Sequence, residues 1–279
     1  MPPFDADEAV RVIRKRTVIA PRTGLVLGSG LGVVADGVAW DAAFPASEIP
    51  GLPTPAVSGH PGRILIGRWA GRPVAVAQGR SHLYEGYTAE EVTRTVRLFA
   101  ALGVKSLVLT NAAGGITPRM TPGTLMLVED QVNLQWRSPM RVPVGAEVAA
   151  ERPAPPRGLS ARAAYSEELM SKAMRAAVVA GVRLERGVLG AVLGPSYETA
   201  AEIQMLERMG ADAVCMSTVA EVATASSLGI ATIAISCITN WATGKSTTRL
   251  EHGDVTAAVR AAAAVPLKSV LERLILALA

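Results

Sequence analysis

The stretch PVAVAQGRSHLYEGYTAEEVTRTVRLFAALGVKSLVLTNAAGG, residues 73–115, contains one full structural cycle. Its apolar run from Pro73 to Ala77 reads as a strand. Thr88 to Leu102 then places Val92, Val96 and Phe99 on one face at helical spacing. That helix opens with Thr88 and Glu91 at capping-box separation, where a hydroxyl and a carboxylate each satisfy a backbone N–H at the helix start. Gly103 closes it, as a residue free to turn left-handed at a helix end. A second apolar run, Ser106–Leu109, follows. Strand, capped helix and strand in that order form a unit of α/β architecture.

The pattern extends outward in both directions. Apolar, β-branched runs recur at Leu25–Leu27, Arg63–Ile66, Thr124–Val128, Val188–Leu193, Ala213–Cys215 and Ile230–Ile238. A helix is predicted from about Ser166 to Ala180. Two more begin at the capping boxes Thr199/Glu202 and Thr218/Glu221 and end at Gly210 and Gly229. Asp254 to Leu278 is predicted helical, with a kink or break near Pro266. The segment Arg137–Arg162, rich in Pro, Arg and Ala, is predicted as a long surface excursion, having too many prolines for a helix or a central strand. The expected fold is α/β: one domain spanning residues 1–279, with a mixed, largely parallel central β-sheet flanked by helices.

Composition limits the functional classes. A chain of 279 residues can bury roughly three quarters of its unfolded surface. With 49% apolar but only 4% aromatic residues, its core must be built from Ala, Val, Leu and Ile. The net charge of +4 comes from 23 Arg and 5 Lys scattered without a basic run, so nucleic-acid binding is not expected. The N-terminus lacks the layout of a signal peptide, and Glu221, Arg260, Lys268 and Glu272 interrupt the apolar stretches that could span a membrane. Cys215 and Cys237 both fall in strand-like runs, which suits two buried free thiols in a cytoplasmic protein.

The chemistry-bearing groups gather in short polar clusters. In Gln78–Tyr87, an arginine, an imidazole, a phenol and a carboxylate (Arg80, His82, Tyr84, Glu85) leave a strand end together. Such a set suits a small anion held beside a polyhydroxylated ligand, since Arg supplies a planar fork of donors and His and Tyr adjustable ones. Gly28-Ser29-Gly30-Leu31-Gly32 fails as a dinucleotide fingerprint, because Val33 stands where the third glycine belongs. Taken alone it fits a plain tight turn better than a phosphate nest. Asn111–Gly115 is a glycine turn or a close-approach site for a ligand. Gly194-Pro195-Ser196-Tyr197-Glu198-Thr199 sets an aromatic and a carboxylate before a capped helix. Met216-Ser217-Thr218 puts hydroxyls at another helix start, as N-caps or as donors to an anion. Asn240 ends the last apolar strand, and His252 follows beyond a Gly-Lys-Ser-Thr-Thr loop. Neither a zinc-binding spacing nor a Gly-x-Ser-x-Gly nucleophile elbow is present.

Taken together and in this order, Leu27–Gly32, Gly59–Arg63, Gln78–Tyr87, Thr110–Gly115, Gly194–Glu202, Gly210–Val222 and Ile238–Asn240 resemble the trimeric, low-molecular-mass purine nucleoside phosphorylases. The resemblance implies phosphorolysis of 6-oxopurine ribo- or deoxyribonucleosides to free base and pentose 1-phosphate. Inorganic phosphate would be a co-substrate, with no metal or other cofactor, and the assembly a cytoplasmic homotrimer. It assigns phosphate to Ser29, His60, Arg80, His82, Ser217 and the backbone at Ala112. The sugar falls to Tyr84, Met216 and His252. The purine falls to Tyr197, Glu198, Met216 and Asn240, with Asn240, Glu198, His82 and His252 the groups closest to the chemistry. Glu85 is expected to orient His82.

The chain departs from the family pattern in two places. Between Asn133 and Tyr165 an expected aromatic is not evident, and Ser81 stands where an aromatic is common. Two alternatives share the fold: a methylthioadenosine-phosphorylase-like enzyme, expected to carry Asp at position 240 and no residue like His252, and a non-catalytic nucleoside-binding homologue.

Overall fold

The computed structural model describes residues 3–57, 60–139, 164–246 and 263–278. Its strands are β1 Thr23–Leu27, β2 Trp40–Pro45, β3 Arg63–Trp69, β4 Arg72–Gln78, β5 Ser106–Gly115, β6 Leu125–Asn133, β7 Leu184–Ala191, β8 Ala213–Cys215 and β9 Ala231–Trp241. Its α-helices are α1 Ala6–Arg14, α2 Ala89–Val92, α3 Arg94–Leu102, α4 Glu167–Ala180, α5 Ala200–Arg208, α6 Val219–Ser227 and α7 Ala264–Ala277.

The strands form one sheet in the order β2–β3–β4–β1–β5–β8–β7–β6–β9, and β9 pairs back onto β5. The strands β5, β8, β7, β6 and β9 therefore close on themselves. Parallel pairings join β4–β1, β1–β5, β5–β9, β6–β7 and β7–β8, while the remaining four are antiparallel. The sheet is mixed, as expected from the sequence.

At its centre, β1 and β5 are apolar without alternation because both faces are covered. Leu25, Val26, Leu27, Leu107, Val108 and Leu109 are wholly buried. Helix α3 lies so close to β1 that a Cβ on Gly24 would stand 2.7 Å from the Phe99 ring. Burying a side chain such as Phe99 stabilises the fold by about 1.5–3 kcal/mol.

The structure alters several sequence expectations. The single helix Thr88–Leu102 is two: Thr93 breaks it, its hydroxyl bonding back to the carbonyls of Ala89 and Glu90. Such back-bonding competes with the helix's own ladder. The capping boxes at Thr88/Glu91 and Thr199/Glu202 form. The one expected at Thr218/Glu221 does not, because Thr218 takes φ +77° and caps nothing, while Glu221 turns to Arg80. Strand β2 escaped the sequence reading because Asp41 and Pro45 depress strand propensity. It lies at the sheet edge, where such residues are tolerated. Helix α1, capped by Asp5, was also not anticipated. In α7, Pro266 lies in the first turn, where its missing N–H leaves no bond unmade. The rest of the helix predicted from Asp254, and most of the Arg137–Arg162 segment, lie outside the described residues. No helix among the described residues is long and apolar enough to cross a membrane.

Candidate active site

Four parallel neighbours, β4, β1, β5 and β9, end side by side, and the carboxyl ends of such strands are where α/β sheets hold ligands. The short β8 joins them by pairing with the last two residues of β5. The polar clusters read from the sequence follow these strands or the end of β7, except that Asn240 lies within β9 and Asn111–Gly115 is no glycine turn but the last half of β5, paired along its length with β9. The clusters line one cleft at this end of the sheet.

Ser29, Arg80, His82, Tyr84, Ala112, Tyr197, Glu198, Met216, Ser217 and Asn240 all line this cleft. His60 does not line it but stands behind Ser29 (Oγ–Nε2 2.7 Å). His252 lies outside the described residues. Thr239, Thr243, Asn111 and Cys215 also line the cleft without having been assigned a role from the sequence. Thr239 sits next to Asn240 and Asn111 next to Ala112, so adjacency in the chain was the available signal. Thr243 carried none.

Contacts run in sequence through the site. Gly79 has φ +97°, and a Cβ there would lie 2.7 Å from that of His60. Its bare backbone lets the Arg80 N–H donate to His60 Nδ1 at 2.9 Å. His60 meets His82 edge-on at 5.2 Å, and His82 stacks on Tyr84 at 4.8 Å. Tyr84 and Met216 then converge on Gly194, whose missing Cβ would come within 3.0 Å of the Tyr84 ring and 2.4 Å of the Met216 sulfur. Glu198 follows four residues later.

Each polar group is held in place. Glu85 Oε1 accepts from the His82 backbone N–H at 2.6 Å and lies 3.0 Å from His82 Nδ1, while its Oε2 accepts from Ala56 N–H at 2.6 Å. Burial pushes the Glu85 carboxyl up, but these hydrogen bonds outweigh it and hold the group below its ordinary value. A carboxylate at Nδ1 requires a proton there, so Nε2 is the nitrogen of His82 left for a ligand.

Tyr84 is pushed up to about 12, first by burial and then by Glu85 and Tyr197, so it stays a phenol able to donate. Asn240 Oδ1 accepts from the Thr239 hydroxyl at 2.6 Å, and Nδ2 donates to the Trp241 carbonyl at 2.8 Å. A carbonyl only accepts, so this fixes which end of the amide is nitrogen. One Nδ2 hydrogen remains beyond the bond to Trp241. Burial raises the Glu198 carboxyl, and Glu202 adds to the rise; the residue's own backbone N–H opposes it. Cys215 lines the cleft, yet burial lifts its thiol to about 11, leaving it a poor nucleophile.

The backbone at Ser217–Val219 is a γ-turn. Val219 N–H donates to the Ser217 carbonyl at 2.9 Å, with Thr218 between them at φ +77° and ψ −52°. That conformation is rare for a residue with a Cβ. Asn111 Nδ2 anchors it by donating to the Thr218 hydroxyl at 3.0 Å, which fixes Ser217 at the cleft wall.

An α/β sheet whose strand ends gather these groups has the layout of a small-molecule site. The sequence pattern of the Phosphorylase superfamily matches residues 22–275. Purine nucleoside phosphorylase 1 of Geobacillus stearothermophilus is 41% identical over 249 residues, covering 89% of each chain. Crystal structures of the Schistosoma mansoni purine nucleoside phosphorylase with inosine and with adenosine superpose at a TM-score of 0.84, covering 97% of this chain and 95% of that one, at 33% and 34% identity. The chain belongs to the purine nucleoside phosphorylases of the Phosphorylase superfamily.

Proposed function

We propose that the protein cleaves 6-oxopurine nucleosides, inosine and guanosine and their deoxy forms, with inorganic phosphate, releasing the base and pentose 1-phosphate. The observation that carries the reading is the order of groups in one cleft. Ser29, Arg80, His82 and Ser217 offer donors to an anion, Tyr84 and Met216 meet beside Gly194, and Glu198 and Asn240 present an acceptor and a donor to a purine edge.

The roles follow from the charge that develops. Glycosidic cleavage passes through an oxocarbenium-like sugar, while the departing purine takes the bonding electrons. Phosphate stabilises the positive ring and then forms the new bond to the anomeric carbon. The free Nδ2 hydrogen of Asn240 stabilises negative charge on the leaving base near N7 and O6. Glu198 accepts from N1–H and from a 2-amino group. This is preorganised electrostatics, which needs phosphate as co-substrate and no other cofactor. Adenine has no proton on N1, so Glu198 favours the 6-oxopurines. An amide at position 240 likewise disfavours the methylthioadenosine-phosphorylase reading.

The two buried free thiols, Cys215 and Cys237, suit a reducing cytoplasm, and the family resemblance supports a homotrimer. The test is to incubate the protein with inosine, guanosine or adenosine, with and without phosphate, and to identify the products. Base release that does not need phosphate would make the enzyme a hydrolase. Light scattering at a monomer mass with full activity would exclude the trimer.

A further inference from the structure

We infer that Glu221, which does not line the substrate cleft, is a positioning residue for phosphate: it holds the Arg80 guanidinium so that one terminal nitrogen is reserved for the anion. The inference rests on reading this end of the cleft as the phosphate site. Arg80 is 4% exposed and Glu221 3%, so the pair is shielded from solvent. Arg80 Nε lies 3.0 Å from Glu221 Oε2 and 3.2 Å from Oε1. Nη1 donates to the Thr110 carbonyl at 2.6 Å. Among the Arg80 nitrogens, Nη2 alone has no hydrogen-bond partner in the described residues, although it is buried; Nε donates to Glu221 Oε1, and Oε2 faces it as an ion pair without accepting a hydrogen bond.

Leaving a donor of a buried cation unpaired is costly in a finished core. At a binding site it is a place kept for an acceptor, and Arg80 shares the cleft wall with the hydroxyl-bearing Ser29 and Ser217. Two of the three guanidinium nitrogens are anchored on separate elements, the middle of β5 through Thr110 and the first turn of α6 through Glu221. A planar group anchored at two edges can present its third in only one direction. Glu221 also supplies the counter-charge that makes a buried arginine tolerable before phosphate arrives. It reaches α6 through the strained turn at Thr218, so the same turn that sets Ser217 in the cleft sets Glu221 behind Arg80.

The test is steady-state kinetics with phosphate and inosine varied independently, on the wild type, Arg80→Ala, Glu221→Ala, Glu221→Gln and Glu221→Asp. Glu221→Ala is expected to raise the phosphate KM about tenfold or more while the inosine KM stays within about twofold, a split that general damage to the fold would not produce. Glu221→Gln keeps an oxygen that accepts from Nε–H, so its phosphate KM should return toward the wild-type value. Glu221→Asp, one methylene shorter, should raise the phosphate KM by about threefold and decides the matter if the alanine variant does not fold. An unchanged phosphate KM in a folded Glu221→Ala or Glu221→Asp enzyme overturns the inference, as does an equal rise in both KM values. Arg80→Ala separates the two levels. If it leaves the phosphate KM unchanged, the phosphate reading of the cleft fails. If it raises that KM and the Glu221 variants do not, only the role of Glu221 fails.

Discussion

His60 and Ser29 are joined by a 2.7 Å hydrogen bond whose direction is set by a third residue. The Arg80 backbone N–H donates to His60 Nδ1, so that nitrogen is bare and the imidazole proton sits on Nε2. Nε2–H therefore donates to Ser29 Oγ, and the serine's own O–H is left to donate elsewhere. A hydroxyl that could otherwise rotate among several partners becomes a donor committed to the cleft.

This relation yields the first prediction. His60→Ala leaves the buried Arg80 N–H without an acceptor, a loss of about 1–3 kcal/mol of stability, and frees the Ser29 hydroxyl. His60→Asn can still accept from Arg80 N–H but is too short to reach Ser29. Both variants should raise the phosphate KM by roughly tenfold, and only the alanine variant should lose much stability in thermal melts. Equal phosphate KM values in both variants and the wild type would show that Ser29 needs no partner.

A pH dependence follows from Glu198. Its carboxyl is raised above the ordinary value of 4.5 by burial, with Glu202 adding to the rise and the backbone N–H opposing it. Accepting from the purine N1–H requires the ionised form. As pH falls through the raised value the carboxylate is lost, so affinity for inosine should decline at a higher pH than an ordinary Glu would dictate. Glu198→Gln should remove that acid limb while lowering activity throughout.

Stability carries the opposite sign. A carboxyl whose folded pKa is raised favours the folded state below its unfolded pKa and loses that contribution as pH rises through the folded value. Unliganded Glu198→Gln protein should therefore gain in melting temperature relative to wild type at pH 7 but not at pH 4. An equal gain at both values would locate the effect elsewhere.

Base selectivity is expected to turn on Asn240. Under the proposed function, the nitrogen assigned by Thr239 and Trp241 is the group that would donate to N7 and O6 of the base. An ionised Asp in its place can only accept, which suits the 6-amino group of adenine and opposes a 6-oxopurine. Asn240→Asp should raise the adenosine-to-inosine ratio of kcat/KM by about 10- to 100-fold. That falls below the full discrimination of a hydrogen-bonding site, because Glu198 still favours 6-oxopurines. An unchanged ratio would mean that Asn240 does not read the base.

In the proposed function, the sugar subsite beside Tyr84 and Met216 depends on the absence of a side chain at Gly194. With φ +71° and a would-be Cβ 2.4 Å from the Met216 sulfur and 3.0 Å from the Tyr84 ring, alanine is both strained and obstructed. Gly194→Ala should push Met216 aside and cost roughly 1 kcal/mol or more of stability. The nucleoside KM should rise, while the stabilisation conferred by saturating phosphate stays near the wild-type value. A fall in both together would indicate that the two subsites are not separable.

The chain's periodicity already contained the α/β class. The runs at Leu25–Leu27 and Ser106–Leu109 are apolar without alternation because both faces of a central strand are covered, and that is a local property of composition. Two of three capping boxes formed as read, since a hydroxyl three residues before a carboxylate satisfies the helix start from within the segment itself. The residue types of Arg80, His82, Tyr84 and Glu85 likewise suited a small anion beside a hydroxylated ligand, whereas purine roles for Glu198 and Asn240 came only with the family resemblance.

What tertiary structure decided were the relations between clusters distant in the chain. The Thr218/Glu221 spacing was indistinguishable from a capping box until Arg80, 141 residues from Glu221 in sequence, took the carboxylate away. Asn111, lying 107 residues from Thr218, holds that residue in a conformation it would not adopt alone. His60 does not line the cleft itself but bonds to Ser29, which does, because Gly79 lets it press against the backbone of Arg80. Local patterns record which elements a segment can form. Ownership of a buried charge or a proton depends on which partners the fold brings within hydrogen-bond reach, because a buried polar group must find one and water is excluded.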